Sequence, residues 1–245
     1  MNTETTRSPG GITNAAPWQT MGDAGMPDLT WSYFVFDDFL AYSAGYPWAL
    51  TGVGVPTAAM TSGEGGLLLL STTAAANDTA IIGRAVNSFK LSSVPGNAKA
   101  TFYKIQFIAD SATLSAITAG LVSGTPLTPT DGAWIGKAAG VNTFTLNHIT
   151  GGVTTSTPLP AACTLTAGVP VELGMEVNPD GSIAVYWNPT TGNNDVPPNS
   201  PRGYVASIKP PVLSSALLQP FVAMLASTAV ARTMQLDYIF ASKDR

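Results

Sequence analysis

The sequence predicts an all-β domain, an antiparallel β-sandwich or jelly roll with an extended N-terminal arm, and three observations predict it. Short apolar runs separated by Gly, Pro and Asn turns recur from Trp31 to the C-terminus. Several runs alternate with period two, as in Phe102-Tyr103-Lys104-Ile105-Gln106-Phe107, which puts apolar side chains on one face of a strand. Helix signals are weak, with only Val212–Leu218 reading as a turn or two before the next strand. A chain of 245 residues is within reach of one sandwich core, and no repeat at the periods of solenoids appears. The expected division is an arm over 1–30 and a single domain over 31–245.

The arm is rich in Gly, Pro, Thr and Asn, with Trp18, Met21 and Met26 as its large apolar groups. It reads either as a leader without structure or as a segment that docks in a groove of another chain. Candidate strands then follow at Tyr33–Phe39, Trp48–Thr51, Gly66–Ser71, Ile81–Arg84 and Thr101–Ile108. Further strands are expected at Ile117–Leu121, Ala133–Lys137, Thr143–Ile149, Val171–Val177, Ile183–Trp187, Leu217–Ala226 and Met234–Ser242. Val177-Asn178-Pro179-Asp180-Gly181-Ser182 is the clearest hairpin signal, with turn formers between two strand runs. Residues 189–211 read as a long Pro-rich loop. Its Pro197, Pro198 and Pro201 lower the entropy of ordering, which suits a contact loop.

Charged residues are 11% of the chain, against a usual share of about 25%. The surface must then be built from Thr, Ser, Asn, Gly and Ala, as in a domain partly covered by other protein or in a neutral secreted domain. The net charge is −4 and Lys and Arg are not clustered, which argues against phosphate-tracking contact with nucleic acid. The longest apolar stretches are far below membrane-spanning length, and Met1–Arg7 has no apolar run of the signal-peptide kind, so a soluble chain made in a cytoplasm is expected. One cysteine, Cys163, excludes an internal disulfide and is expected to be a buried thiol.

A set of segments in order carries a resemblance. It begins with Phe36-Asp37-Asp38-Phe39-Leu40 and Gly63-Glu64-Gly65-Gly66 followed by Leu67 to Leu70. It continues through Asn77-Asp78, Ser88-Phe89-Lys90, Ala100 to Phe107 and Thr125 to Ile135, and closes with Met234 to Lys243. This order resembles a family of tailed-bacteriophage virion proteins with a concanavalin-like jelly roll, found among head decoration or cement proteins. The resemblance implies copies clamped onto an assembled head, with the major capsid protein as partner and the capsid surface of the virion as location. It implies self-association as a homotrimer, with a dimer as the alternative, and neither catalysis nor a cofactor. Trp18, Met21, Met26, Pro197, Pro198 and Pro201 are the candidate interface residues. It also implies that the first and last strands lie side by side. A virion carbohydrate-binding module or adhesin, using exposed Trp and Tyr, is the alternative reading.

Four sets of residues carry groups capable of chemistry. Glu172, Gly174 and Glu176 share one face of a strand, and the pattern resembles the Glu-x-Asp-x-Glu strand of jelly-roll β-glucanases with the central Asp replaced. A retaining pair needs carboxyls about 5 Å apart, whereas residues four apart on a strand are separated by about 13 Å of backbone. Solvent-facing or loop-capping carboxylates are therefore expected. His148, the one histidine, has no Gly-x-Ser-x-Gly elbow to make a triad and no partners for zinc. Asp37-Asp38 and Asn77-Asp78 are expected in strand-end turns rather than as Ca²⁺ ligands. Of Trp31, Trp48, Trp134 and Trp187, at least three are expected in the core, leaving a sugar-stacking role open for the rest.

Overall fold

A computed structural model describes residues 32–40, 42, 47–61, 66–84, 86–91, 100–189 and 203–244. Among these residues every regular element is a strand. In chain order they are β1 (Ser32–Asp37), β2 (Trp48–Thr51), β3 (Thr57–Thr61), β4 (Leu67–Ser71) and β5 (Thr79–Arg84). Next come β6 (Thr101–Ala109), β7 (Ser115–Thr125), β8 (Thr128–Lys137), β9 (Thr145–Thr150) and β10 (Val153–Pro158). The last five are β11 (Val171–Val177), β12 (Ile183–Pro189), β13 (Gly203–Ile208), β14 (Gln219–Ala226) and β15 (Thr233–Asp244).

The strands form two antiparallel sheets. The eight-stranded sheet runs β13-β12-β11-β6-β15-β4-β3, with β1 also paired to β15. The seven-stranded sheet runs β10-β9-β8-β7-β14-β5-β2. Between them lies one continuous core built from alternate residues of each strand. In β6 these are Tyr103, Ile105 and Phe107; in β11, Leu173 and Met175; in β7, Ile117, Ala119 and Leu121; and in β14, Val222 and Met224. Period-two alternation in the sequence is thus read directly as inside and outside. Trp48, Trp187 and Tyr103 are the largest fully buried side chains, and the Phe144 and Trp187 rings meet at 5.6 Å. Tyr103 crosses the core, and its hydroxyl donates to the carbonyl oxygen of Phe221 in the opposite sheet at 2.7 Å.

The first and last strands do pair: Phe36 faces Phe240 and Asp37 faces Ile239. The Pro179-Asp180 turn closes the β11–β12 hairpin in the expected register, with Val177 opposite Ile183. Asp180 accepts from Ser182 N–H and Oγ–H, and these bonds lower its carboxyl to about 2. Two expectations need correction. The Pro-rich stretch 189–211 is not a loop throughout, because Gly203–Ile208 form β13 on the edge of the sheet. The segment Val212–Leu218 is not helical; Leu218 bridges to Phe89 and the rest is extended or bent. Strands β3 and β10 are additions to the expected set.

Candidate functional site

The outer faces of the two sheets differ in chemistry. On the seven-stranded sheet, cross-strand register lines up Ala49, Gly83, Phe221, Gly120, Trp134, Asn147 and Ser156 in one transverse row. The row beside it runs Thr51, Ile81, Ala223, Thr118, Gly136, Thr145 and Pro158. Glycine alternates with aromatic residues in the first row for a steric reason. A Cβ on Gly120 would lie 2.4 Å from the Ala133 carbonyl oxygen and 2.6 Å from Trp134 Cα. One on Gly136 would sit 3.4 Å from the Trp134 ring. The edge of the indole therefore sits beside the bare backbone of Gly136, and Trp134 packs against the small outer cluster of Ile81, Val122, Phe221 and Ala223. Trp134 itself stays partly exposed. Beyond it, Ser156 Oγ–H donates to Asn147 Oδ1 at 2.8 Å, and Asn147 Nδ2 donates to the Thr145 carbonyl at 3.0 Å. An amide and a hydroxyl are thereby held in fixed orientation beside an aromatic face, with spare donors and acceptors on each.

The outer face of the eight-stranded sheet holds the two glutamates singled out from the sequence. Glu172, Gly174 and Glu176 do share it, since Val171, Leu173, Met175 and Val177 point into the core. Both carboxylates are already engaged. Glu172 forms an ion pair with Lys104 at 2.9 Å and accepts the Tyr238 hydroxyl at 2.5 Å. Glu176 accepts the Tyr186 hydroxyl at 2.7 Å. Burial, and then the adjacent Glu172 charge, push the Tyr238 hydroxyl well above the usual phenol range. Phe36, Phe102 and Phe240 pack beside these groups. The arrangement is two separately partnered carboxylates, one in an ion pair and one bound by a tyrosine hydroxyl, rather than two carboxyls converging on one bond.

The structure brings a serine, a histidine and an aspartate together, but not as a nucleophilic relay. Ser214 Oγ–H donates to Asp131 Oδ1 at 3.1 Å, while His148 Nε2 accepts the backbone N–H of Ser214 at 3.3 Å. His148 and Ser214 are fully buried, so the imidazole pins the β13–β14 connection from inside the sandwich. Burial lowers the His148 pKa below the usual imidazole range, with Asp131 pulling weakly the other way. Cys163 is a buried core thiol pushed up to about 11 by burial. Asp37 accepts the Phe39 N–H at 2.8 Å and the Trp48 indole N–H at 2.6 Å, a strand-end turn role. Asp78 is buried in the turn before β5, and its Oδ2 has no hydrogen-bond donor among the described residues. Lys137 is also buried, its ammonium donating to the carbonyls of Ser115, Ala138 and Val141, and burial lowers it to about 8.

Trp48 and Trp187 belong to the core, Trp134 to the outer face, and Trp31 lies outside the described residues. So do Trp18, Met21, Met26, Pro197, Pro198 and Pro201. The alignment of Gly120 with Trp134 was missed by sequence reasoning, because a cross-strand row appears only once register is known. The one available signal was the glycine spacing in Gly132-Ala133-Trp134-Ile135-Gly136.

No protein-family model and no curated protein matches the chain. Solved structures do. Basic winged bean lectin with Tn-antigen superposes with a TM-score of 0.57 at 11% identity, covering 87% of this chain and 98% of the lectin. The CBM2 module of the evolved Dit of Lactobacillus casei BL23 phage J-1 gives 0.57 at 11% identity, covering 86% and 96%. An endo-β-1,4-glucuronan lyase from the fungus Trichoderma reesei gives 0.55 at 12% identity, covering 86% and 95%. The fold is therefore a lectin-like, concanavalin-like jelly-roll sandwich.

Proposed function

We propose that this chain is a carbohydrate-binding domain whose glycan lies across the outer face of the seven-stranded sheet, over Trp134. The single observation behind this reading is a partly exposed indole on the outer face, set beside Gly136 and in one cross-strand row with the hydrogen-bonded Asn147–Ser156 pair. A pyranose ring has an apolar C–H face and a rim of hydroxyls. The indole matches the first, and a neutral amide and hydroxyl match the second. The lectin and the phage carbohydrate-binding module among the structural relatives support the same reading. Binding needs no reacting group, in keeping with Glu172 and Glu176 being tied up in pairs on the other sheet. A glycan array probed with the full chain, with Trp134→Ala and with Tyr204→Ala, a change at an exposed tyrosine on edge strand β13 of the other sheet, tests it. Retention by the wild type and Tyr204→Ala but not by Trp134→Ala is expected. Retention by Trp134→Ala at wild-type strength would place binding elsewhere and sink the assignment.

Attachment to an assembled phage head is the second reading, favoured by the low charge of the surface and by the phage origin of one structural relative. In it the major capsid protein is the partner, the chain sits on the capsid surface as a homotrimer, and Trp18, Met21, Met26, Pro197, Pro198 and Pro201 make contact. Many equivalent lattice sites would let modest single contacts add up. Saturable binding to heads lacking the protein, weakened when the chain starts at Asp28, is the expected result; no binding by either form removes this reading.

A further inference from the structure

We infer that the ligand is a neutral glycan, and that this face discriminates against uronates and other acidic sugars. This rests on the glycan-binding reading above and deepens it. The observation is how charge is divided between the sheets. The strands of the seven-stranded sheet contain three charged residues, Arg84, Asp131 and Lys137, and all three are directed away from the outer face. Arg84 donates to the Tyr33 hydroxyl at 2.9 Å, Asp131 accepts from Ser214, and Lys137 is held by backbone carbonyls. Their parity along the strand confirms it, since Asp131 and Lys137 alternate with Trp134 and Gly136 and share the side of Ala133 and Ile135. The transverse row that includes Trp134 and the row beside it thus carry no formal charge. The other sheet does the reverse, with Lys104, Glu172 and Glu176 all on its outer face.

A carboxylate laid on the Trp134 face would lose water without gaining a cation to pair with, which is unfavourable. The net charge of −4 adds a weak repulsion for any polyanion. A neutral ring meets neither cost. From Trp134 to Ser156 is two interstrand spacings, about 10 Å, so one ring can stack on the indole while its neighbour reaches the Asn147 amide and Ser156 hydroxyl. The three groups stand in one row perpendicular to the strands, which suits a linear chain running across the sheet. Small side chains leave room along that line, with Thr118, Gly136 and Thr145 forming the adjacent row.

The test is depletion of the pure full-length protein by insoluble neutral polysaccharides (β-glucan, mannan) and by insoluble polyuronates, at about 0.05 and 0.5 M salt, which spans strong and weak screening. Neutral polymer should be bound with less than a twofold change across that salt range, and polyuronate at least tenfold more weakly. Trp134→Ala should lose at least tenfold. Asn147→Ala, a change at the exposed end of the row, supplies the same readout should Trp134→Ala fail to fold. Thr118→Lys should raise polyuronate binding. Equal or stronger retention by polyuronate, or binding that collapses with salt, overturns the neutral-ligand inference while the glycan reading survives if Trp134→Ala still abolishes it. Retention of no polysaccharide by the wild type overturns both.

Discussion

The buried His148 makes stability depend on pH in a way that can be isolated, because it is the one histidine in the chain. Its pKa is lowered from 6.5 by burial, so the unfolded chain takes up a proton before the folded one does. Stability is then fully present above about 6.5 and is lost as pH falls toward the lower folded value. One proton bound to the unfolded state alone is worth about 1.4 kcal/mol per pH unit. Moving from pH about 7.5 to about 5.5 should cost up to about 1.4 kcal/mol, the limit in which the folded imidazole stays neutral throughout, and lower the melting temperature accordingly. Asp37 and Asp237 have raised pKa values from burial and push weakly in the opposite direction, since the folded state then gains protons first. His148→Gln keeps those two and removes the imidazole, so the difference between the two pH profiles isolates His148. Urea unfolding across the pH series should show a loss of stability toward low pH in the wild type that is reduced or reversed in His148→Gln. Parallel profiles would refute the role given to the buried imidazole.

Three further changes have defined outcomes. Gly120→Ala puts a Cβ 2.4 Å from the Ala133 carbonyl oxygen and must spread β7 from β8. Calorimetry should show about 1–3 kcal/mol of destabilisation, with weaker glycan binding as Trp134 shifts; an unchanged melt would show that the strands adjust freely. Tyr103→Phe removes the inter-sheet bond to the Phe221 carbonyl and should cost about 1 kcal/mol in denaturant unfolding, with the fold kept. Glu172→Gln breaks the Lys104 pair, whose two side chains are 13% and 15% exposed, and should cost about 1 kcal/mol after allowing for that partial screening. Glycan retention should be unchanged in Glu172→Gln, because the pair lies on the opposite sheet. A loss of retention would move the site to that face.

Much of the sandwich was legible in advance, and the failures have physical reasons. Trp48–Thr51 and Val171–Val177 were read to the residue because alternation and turn residues coincide there. Strand β10, Val-Thr-Thr-Ser-Thr-Pro, is an edge strand facing solvent, so nothing in its hydrophobicity marks it. Strand β3 is two alanines, two threonines and Met60, too weak an apolar signal to separate from a turn. In β13 the prolines upstream hid a short strand whose Tyr204 is largely exposed. The shared face of Glu172 and Glu176 followed from period two, but their partners did not. Lys104, Tyr238 and Tyr186 come from three other strands, and only register brings them within reach. The same holds for the Trp134 face, which is assembled from positions that are neighbours in space and not in sequence.

The place of β15 sets the order in which the fold can be completed. It lies inside its sheet, with β6 along one edge and β4 and β1 end to end along the other. As the chain leaves the ribosome, every other described strand is made before it. Until then β1 has no partner among the described strands, and the sheet is split into two parts with an open seam between them. At about 5–20 residues per second the nascent chain must keep that seam from pairing with a neighbouring chain until synthesis reaches the last strand. Anything that stops translation short of β15 should yield an insoluble product rather than a smaller domain.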